Sequence, residues 1–268
     1  MKALVVGRGW IGGKVAGAFE RRNSLITLIS HGDAFEAIDA LRPDVVVNCA
    51  GYTGRPNVDG CEKHRAETIE ANTLYPIRLY EWCEKAKSRF AHFSTGCVYQ
   101  GDGDFTEDTA PNYDASTYSA SKIVSDLYLQ DKAVVLRIRM PFDSSHSERN
   151  LLTKLEGYAK VARLVDSVNS ISDADEMADV TARLLLANCP LGAYHLVNGG
   201  KISTREIAQS MGISAKWMDW EEFYMAGHGA RSVCTLSNAK ANAITPIDEV
   251  HHAVGRCCDW FRYHLEAA

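Results

Sequence analysis

The sequence predicts an α/β protein: a Rossmann-type, doubly wound parallel sheet with a smaller α/β lobe toward the C-terminus. Strand-like apolar runs alternate with amphipathic helical stretches in the first half of the chain, a pattern that implies parallel strands joined by right-handed crossovers. A glycine-rich turn follows the first run, as in dinucleotide-binding sheets. Residues 44–48 form a continuous β-branched run, which is typical of a strand covered on both faces.

The first half of the chain supplies these elements in alternation. They are strand 3–6, helix 11–21, strand 25–29, helix 35–41, strand 44–48, a long helical region 58–87, strand 90–94, a helix that carries Tyr118, and strand 134–138. The segment 100–112 is rich in Gly, Asp and Pro and predicts a loop over the strand ends.

The second half has a looser pattern. A helix is predicted over 172–188, with Ser172 as its N-cap and acidic residues in its first turn. Strand 192–198, a helix 203–211 opened by a capping-box pattern, and a closing helix 249–265 follow. We therefore expect a dinucleotide-binding domain over residues 1–145 and a smaller substrate-binding lobe over 146–268, with chain contributions that can interleave.

Composition excludes several classes of protein. The formal net charge of -5 argues against nucleic acid or an anionic membrane as a partner. No apolar run approaches the roughly 20 residues of a membrane span, and the strand-like start of the chain predicts no signal peptide. The eight cysteines contain no C-x-x-C pair, which predicts reduced thiols, a cytoplasmic location and no disulfide framework. We expect the His251-His252 and Cys257-Cys258 pairs to lie in an ordinary helix, and no metal site is predicted, since structural zinc needs about four ligands.

The glycine turn has the pattern G-x-G-x-x-G and consists of Gly7, Arg8, Gly9, Trp10, Ile11 and Gly12. Glycines let the backbone approach a pyrophosphate at the N-terminus of the following helix, so the turn predicts dinucleotide binding; the alternative is a purely structural turn. The second strand ends at Ser30 rather than at the acidic residue that would hold the ribose of NAD, and Asp33 comes late. Arg8 could meet a 2′-phosphate, or be a solvated loop residue. NADPH is the predicted cofactor, with NADH as the alternative.

Tyr118 and Lys122 form a Tyr-x-x-x-Lys pair, one helical turn apart on the same face. A tyrosine has an ordinary pKa near 10, and a neighbouring ammonium lowers that pKa by stabilising the phenolate. We expect Lys122 to hold the nicotinamide ribose as well. Thr95, at the end of strand 90–94, would donate a hydrogen bond to a substrate carbonyl. The alternative is an ordinary surface pair on an amphipathic helix.

The chain resembles the extended short-chain dehydrogenase/reductase superfamily, and within it the nucleotide-sugar 4-reductases. It is most similar to the bifunctional 3,5-epimerase/4-reductases of UDP-rhamnose synthesis and to the dTDP-4-dehydrorhamnose reductases. The glycine turn is one residue shorter than the usual G-x-x-G-x-x-G of the superfamily, and similarity thins after Trp217. The matching segments are 9–13, 48–59, 95–97, 118–122, 137–141 and 149–150.

The resemblance implies an NADPH-dependent enzyme that converts a UDP- or dTDP-4-keto-6-deoxyglucose to the L-rhamnose nucleotide, by epimerisation and then reduction at C4. It implies that Cys97 is the base of the epimerisation and Lys154 the acid, with His146 as the alternative acid. Read without the resemblance, Cys97 is a small buried hydrophobe and Lys154 an exposed helix lysine. Two further alternatives are a reductase without epimerase activity and a non-catalytic, NADP-binding regulatory subunit.

Substrate contacts are predicted in two places. Arg55 and Asn57 follow the third strand, at the sheet edge where open α/β sheets bind ligands; the alternatives are an ion pair for Arg55 and a turn role for Asn57. The resemblance adds Asn150 and Arg231 as substrate contacts. It also adds Ala50 and Gly51 as cofactor contacts, and a homodimer packed through the region 58–87.

Overall fold

The computed structural model describes residues 1–265, so the last three residues of the predicted lobe lie outside the described part. The strands, in chain order, are β1 (Lys2–Val6), β2 (Leu25–Ile29), β3 (Val45–Asn48), β4 (Arg89–Thr95), β5 (Asp104–Phe105), β6 (Val134–Ile138), β7 (Arg163–Val165), β8 (Val168–Asn169), β9 (Gly192–His195), β10 (Ile202–Ser203), β11 (Lys216–Met218) and β12 (Thr235–Leu236).

The helices lie between and after these strands in the sequence. They are α1 (Trp10–Glu20), α2 (Ala34–Leu41), α3 (Gly60–Lys63), α4 (Arg65–Ile69), α5 (Tyr75–Ala86), α6 (Thr117–Leu129), α7 (Leu151–Val161), α8 (Ala174–Leu186), α9 (Thr204–Ser210), α10 (Trp220–Met225), α11 (Ala239–Asn242) and α12 (Val250–Leu265). A 3₁₀ turn covers His31–Asp33, and a π-helical turn, Glu70–Leu74, joins α4 to α5.

A six-stranded parallel sheet in the order β2-β1-β3-β4-β6-β9 forms the centre of the molecule. Alternate residues of β1 and β3 point to opposite faces, and both faces are covered. Val5 and Val47 pack with α1 and α8, whereas Leu4 and Val46 pack with α2, α5 and α6. The predicted fold class, a doubly wound parallel sheet with helices on both faces, is confirmed.

The lobe has its own core, in which Leu152, Ile207 and Val254 bring together α7, α9 and α12. The chain between the larger elements forms three two-stranded sheets, in which β7 pairs with β11, β8 with β10 and β5 with β12. Both α8 and β9 follow residue 145 and yet belong to the main sheet and its cover. Contributions of the chain therefore interleave, and the predicted boundary at residue 145 stays a prediction.

Several predicted elements have different limits in the structure. The helical region 58–87 is broken into α3, α4, the π turn and α5. The strand predicted over 192–198 ends at His195, and the loop 100–112 contains β5 because residues 104–105 pair with β12. Short elements between residues 162 and 172 and between 213 and 242 are not predicted from the sequence; they include α10 and the strands β7, β8, β11 and β12.

The predicted N-cap of α8 is wrong by one residue. Asp173 is the cap, since its carboxylate accepts hydrogen bonds from the backbone N–H groups of Asp175 and Glu176. The Ser172 hydroxyl instead donates to the carbonyl of Leu196 at 2.6 Å and accepts from the backbone N–H of Arg139. It thereby joins the end of the central sheet to the lobe.

The C-terminal helix carries the His and Cys pairs. His251 and His252 lie in ion-pair distance of Glu206 and Asp248, and both cysteines are buried. Within residues 1–265, no three His, Cys, Asp or Glu side chains are grouped in a way that could hold a metal ion. Nor does any helix of this part of the chain have the length and apolar character needed to cross a membrane.

Candidate active site

The glycine turn connects β1 to α1 so closely that only glycine fits at two positions. Gly7 has φ +110°, and a Cβ there would lie 2.9 Å from the backbone nitrogen of Ala50. A Cβ on Gly12 would lie 1.8 Å from the carbonyl oxygen of Gly7. Backbone therefore packs on backbone here, and Ala50 lies directly beside the turn.

Gly9 is the N-cap of α1 and leaves the start of that helix open. No side chain caps the helix, and a Cβ at Gly9 would have nothing within 4 Å. The first N–H groups of a helix lack intrahelical partners and attract anions. The turn therefore fits the pyrophosphate of a dinucleotide, as the sequence predicts.

The other residues of the turn divide into two groups. Trp10 donates from Nε1 to Asp143 at 3.2 Å, and Ile11 packs against the core under the sheet, so both hold the turn in place. Arg8 is exposed and makes no ion pair within the described residues. Ser30 donates its hydroxyl to Asp33, which places a carboxylate close to the end of β2.

The predicted reducing groups meet where β4 ends against α6. Thr95 is the last residue of β4, and Tyr118 and Lys122 lie one turn apart in α6; all three side chains are buried. The Lys122 ammonium donates to the carbonyl of Phe93 at 3.1 Å. A Cβ on Gly51 would lie 3.3 Å from Lys122 Nζ, so the ammonium also reaches the segment that follows β3.

Burial controls the protonation of this group. Desolvation raises the pKa of Tyr118, Cys97 adds to that rise, and a hydrogen bond with Thr95 opposes it. Desolvation also lowers the pKa of Lys122 to about 8, against the attraction of Asp126. This direction is opposite to the lowering by Lys122 that the sequence predicts, and burial is its largest cause. Tyr118 is therefore a neutral phenol at pH 7, the form that can donate a proton.

Cys97 lies beside the reducing groups. Its backbone N–H donates to the Thr95 hydroxyl at 3.1 Å, and its carbonyl accepts from the Ser119 hydroxyl at 2.8 Å. The thiol is partly exposed, and its Sγ accepts a hydrogen bond from Nη1 of Arg139 at 3.3 Å. Sequence reasoning included Arg139 in the matching run 137–141 but gave it no role.

Asn72 fixes the segment that carries Gly51 and Tyr52. It is fully buried in the π turn, and its side-chain amide pairs with the backbone N–H and carbonyl of Tyr52, each at 2.8 Å. A further bond to Ser121 ties this segment to α6. The sequence offers no signal for this role, since a π turn inside a helical stretch has no pattern of its own.

The predicted substrate contacts in the loop after β3 are already paired within the protein. Arg55 lies 3.3 Å from Glu148, and both are exposed. Asn57 accepts from the backbone N–H of Asp59, as a turn residue does. These are the alternatives that the sequence left open for Arg55 and Asn57.

Arg231, on the segment after α10, binds Asp59 through two hydrogen bonds of 2.7 Å. The bidentate pair lowers the pKa of Asp59 and joins the lobe to the loop after β3. Both side chains keep partial exposure. An anionic ligand of Arg231 would therefore exchange with the Asp59 carboxylate.

The lobe residues predicted from the family resemblance have different surroundings. Lys154 lines an open cavity of about 620 Å³ together with Arg55, Arg149 and Tyr158, and the lining of this cavity does not include Cys97. Burial, and then Arg149, lower the pKa of Lys154. His146 is exposed, and its ring packs edge-on against Phe261 of α12.

Asn150 has a structural position. Its side chain is fully buried, caps α7 by accepting from the backbone N–H of Leu152, and donates to Asp143 and Ser145. These bonds give Asn150 a structural role, and its role as a substrate contact stays a prediction.

Tyr113 is a further residue of the site that sequence reasoning missed. Its backbone pairs with Val98, one residue beyond Cys97. The side chain is 9% exposed, yet its hydroxyl has no hydrogen-bond partner among the described residues. Burial raises its pKa, and Tyr224, Cys97, Arg231 and Arg139 also act on it. The hydroxyl thus has no hydrogen-bond partner among the described residues, and Cys97 and Arg231 both affect its pKa.

Comparison with known proteins places the chain in a family. The sequence model of the RmlD substrate binding domain matches residues 1–257. A bifunctional dTDP-4-dehydrorhamnose 3,5-epimerase/dTDP-4-dehydrorhamnose reductase of Arabidopsis thaliana is 32% identical over 261 residues, which cover 90% of this chain and 84% of the relative. A trifunctional UDP-glucose 4,6-dehydratase/UDP-4-keto-6-deoxy-D-glucose 3,5-epimerase/UDP-4-keto-L-rhamnose-reductase of the same plant is 32% identical over 78% of this chain, and the chain spans 33% of its length.

Solved structures share the fold. A UDP-rhamnose synthase of Acanthamoeba polyphaga mimivirus superposes with a TM-score of 0.88 at 24% identity, over 97% of this chain and 99% of that one. A dTDP-4-dehydrorhamnose reductase of Bacillus anthracis in complex with NADP gives a TM-score of 0.78 at 17% identity, over 100% and 99% of the two chains. At these identities the likeness concerns the fold.

Proposed function

The chain belongs to the RmlD substrate binding domain family, and from that premise we propose that it reduces the C4 carbonyl of a nucleotide-linked 4-keto-6-deoxyhexose. The observation that carries the proposal is the meeting of Thr95, Tyr118 and Lys122, all buried, beside the segment that packs on the glycine turn. This group has the composition of a carbonyl-reducing site. An intact set of this kind also argues against the regulatory-subunit alternative.

The cofactor we propose is NADPH, which supplies a hydride for C4 when it is bound. The open N-terminus of α1 would hold its pyrophosphate. Arg8 is exposed and makes no ion pair with the described residues, so a 2′-phosphate could approach it, and the reductase of similar fold from B. anthracis is in complex with NADP. Comparison of KM for NADPH and NADH, in wild type and Arg8→Ala, tests this preference over the NADH alternative.

The protein's own contribution to reduction is a proton and a pair of hydrogen bonds. As C4 gains a hydride, its carbonyl oxygen becomes an alkoxide and needs a proton. Tyr118 is neutral at pH 7 and donates that proton, while Thr95 donates a hydrogen bond to the same oxygen. Lys122 has a pKa of about 8 and supplies positive charge beside the phenolate that remains.

We further propose that the same site epimerises the sugar at C3 and C5 before reduction. Both positions are α to the C4 carbonyl, so their protons are acidic. The Cys97 thiolate removes the proton, the C–H electron pair forms a C=C bond as the C4 carbonyl becomes an enolate, and Thr95 and Tyr118 stabilise the enolate oxygen. Lys154, whose pKa burial lowers, returns a proton to the opposite face; His146 is the alternative acid.

The substrate is a UDP- or dTDP-linked 4-keto-6-deoxyglucose in this proposal. Arg231 and Arg55 would exchange their carboxylate partners for the diphosphate. Asn57 positions the loop that carries Arg55. Tyr113 adds an unpartnered hydroxyl for an oxygen of the glycosyl phosphate. A homodimer stays a prediction; exposed Trp82 on α5, and Val124 and Leu127 on α6, would suit such an interface.

A reductase without epimerase activity is the second candidate. It is favoured by the cavity around Lys154, whose lining does not include Cys97. Such an enzyme would act on a sugar that has already been inverted.

One assay separates these functions. UDP- or dTDP-4-keto-6-deoxyglucose is supplied with NADPH in D₂O, the absorbance loss is followed, and deuterium at C3 and C5 and the product stereochemistry are determined. We expect oxidation of NADPH with deuterium at both carbons. Oxidation without inversion supports the reductase alone, and no oxidation at all refutes the enzyme proposal.

The role of Cys97 has its own test. Cys97→Ser should abolish deuterium incorporation but leave NADPH binding, and reduction of an already inverted substrate, intact. If the variant incorporates deuterium as fast as wild type, the epimerase role of Cys97 is wrong. Cys234→Ser is the matched control, because that thiol lies beside Gly96 but is buried.

A further inference from the structure

We propose that Arg139 is a positioning residue that holds Cys97 as a thiolate, and so makes this thiol a base. The inference rests on the epimerase role proposed for Cys97. It starts from the environment of Arg139 itself, which is unusual for a charged side chain. Arg139 is 1% exposed, at the end of β6 where the central sheet meets the lobe.

Arg137 and Arg139, two residues apart, provide an internal comparison. Both side chains are buried. Arg137 has a counter-ion, since its Nε lies 2.7 Å from the carboxylate of Asp126. Within residues 1–265, Arg139 has no carboxylate within ion-pair distance, and its Nε has no hydrogen-bond partner. A buried charge without a counter-ion is costly, so the surroundings of Arg139 favour an anion.

The partners of the Arg139 guanidinium show which group can supply that anion. Ser232 accepts through its carbonyl at 2.7 Å and through its hydroxyl at 3.0 Å, and Asn169 accepts through its amide oxygen. A weaker bond of 3.4 Å reaches the carbonyl of Gly96. These acceptors are neutral and stay neutral. The remaining partner, Cys97 Sγ at 3.3 Å, is the one that can become negative.

Other titratable groups that face Cys97 do not compete for this role. They are Tyr118 on α6, Tyr113 on the preceding loop and Cys234 before β12. Burial raises the pKa of each of the three, so each is neutral at pH 7. The Arg139 guanidinium, which is hydrogen-bonded to the Cys97 thiol, provides a positive charge beside it.

The geometry lets Arg139 act only through the thiol. Arg139 is buried, whereas Cys97 is partly exposed. A guanidinium remains protonated at every pH of interest, so Arg139 neither gives nor takes the substrate proton. An N–H bond to a thiolate is charge-assisted and stronger than one to a thiol. The thiolate is also the reactive form of cysteine.

Alkylation of Cys97 by iodoacetamide, read peptide by peptide in a mass spectrometer, measures this pairing without any substrate. Its rate against pH reports the fraction of thiolate. In Arg139→Gln we expect the midpoint of the profile to move up by about one pH unit or more, and Arg139→Lys to move it less. Cys234→Ser should leave the Cys97 profile unchanged. A folded Arg139→Gln protein with the wild-type profile would overturn the inference.

Asn169→Asp is a second variant for the case in which Arg139→Gln does not fold. Aspartate has nearly the same shape as asparagine. Because the Asn169 amide oxygen already accepts a hydrogen bond from Nη2 of Arg139, this variant places a carboxylate beside the guanidinium. We expect equal or higher thermal stability, and a Cys97 profile that again moves to higher pH because the guanidinium is now paired. An unchanged profile in this variant contradicts the inference.

Activity distinguishes positioning from a merely structural role. In Arg139→Gln, deuterium exchange at C3 and C5 should fall severalfold at pH 7, because the thiolate fraction is smaller, and should recover as the pH is raised. Reduction of an already inverted substrate should change less than threefold. A loss of both activities that high pH does not restore would point to structure alone. If wild type exchanges no deuterium but its alkylation profile depends on Arg139, the epimerase proposal fails and the Arg139–Cys97 pairing stands.

Discussion

The two groups of predicted site residues, called here the sheet wall and the lobe wall, are built in different ways. The sheet wall, formed by Thr95, Tyr118 and Lys122, consists of buried side chains on a regular strand and helix. The lobe wall, formed by Lys154 and Arg231, consists of partly exposed cations on α7 and on a loop. Side chains of the first kind are held in place before a ligand arrives. The Arg231 side chain instead has a carboxylate partner that a ligand must replace. We therefore expect the sheet wall to set kcat and the lobe wall to set KM.

The largest effect expected is on the sheet wall. Tyr118→Phe removes the proton donor and should lower kcat for reduction by about 10³-fold, with KM for the nucleotide sugar changed less than threefold. Initial rates of NADPH oxidation at saturating substrate measure both. Tyr128→Phe is the matched control, because Tyr128 lies on the same helix but bonds to exposed Glu81. A Tyr118→Phe enzyme that keeps a tenth of the wild-type kcat would contradict the proposed role.

The next largest effect concerns stability as a function of pH. Burial lowers the pKa of Lys122 to about 8 from an ordinary 10.5. Between these two values the unfolded chain binds the proton and the folded chain does not, so folding gains stability as the pH rises and loses it as the pH falls toward 8. Relative to Lys122→Met, wild type should gain up to about 3 kcal/mol from pH 7 to pH 10.5. Urea unfolding at the two pH values measures this gain.

The control for that measurement is Lys132→Met. Lys132 follows α6 directly but is exposed, and its removal should leave the pH profile of wild type unchanged. Parallel profiles for wild type and Lys122→Met would show that Lys122 is not a buried titrating group.

A smaller effect is expected on the lobe wall. Arg231→Ala should raise KM for the nucleotide sugar about tenfold, because it removes the binding free energy of a charge-assisted hydrogen bond. It should leave kcat within threefold. Asp59→Asn should have the opposite effect on KM, because it frees Arg231 for the diphosphate. Steady-state kinetics of the two variants settle the point. Equal KM values in wild type and Asp59→Asn would mean that Asp59 does not compete with the substrate.

The smallest effect compares two buried tyrosines beside the site. Tyr113→Phe removes a hydroxyl that has no partner, so the melting temperature should not fall while KM rises severalfold. Tyr99→Phe removes a hydroxyl that donates to Thr109 and accepts from Arg137. That loss should lower the free energy of unfolding by about 1–3 kcal/mol without changing KM. Thermal melts with matched kinetics test both, and a destabilised Tyr113→Phe would show a partner for its hydroxyl.

The sequence predicts the sheet wall better than the lobe wall for a physical reason. Strands such as β3 are buried on both faces and so consist of unbroken apolar runs. The glycine turn beside them is also easy to identify, because its backbone conformation accepts only glycine at positions 7 and 12. Strands of two or three residues, such as β8 and β12, are too short to show any periodicity. Their position depends on pairing with distant chain, which no local pattern encodes.

Individual residues show the same limit. Ser172 and Asp173 are adjacent, and both residue types can cap a helix. The Ser172 hydroxyl donates to the carbonyl of Leu196, so Asp173 is the residue that caps α8. Arg139 looks like a solvent-facing residue in the sequence, since charged side chains are seldom buried. The effect of burial on the pKa of Tyr118 depends on how tightly the tertiary structure covers the phenol. Spacing along one helix does not contain that information.

Asp143 limits how far the two halves of the protein can be exchanged with those of a relative. Lys14 of α1 lies 2.5 Å from the Asp143 carboxylate, Trp10 donates to it, and Asn150, which caps α7, donates to it from the other side. Helix α1, which begins in the glycine turn, and helix α7, which carries Lys154, thus both contact the buried Asp143 side chain. A chimera that takes residues 143–265 from this protein and the rest from another family member would carry Asp143 and Asn150 without their partners on α1. To remain folded, it would have to carry Trp10 and Lys14 across as well, so these four residues form one transferable unit.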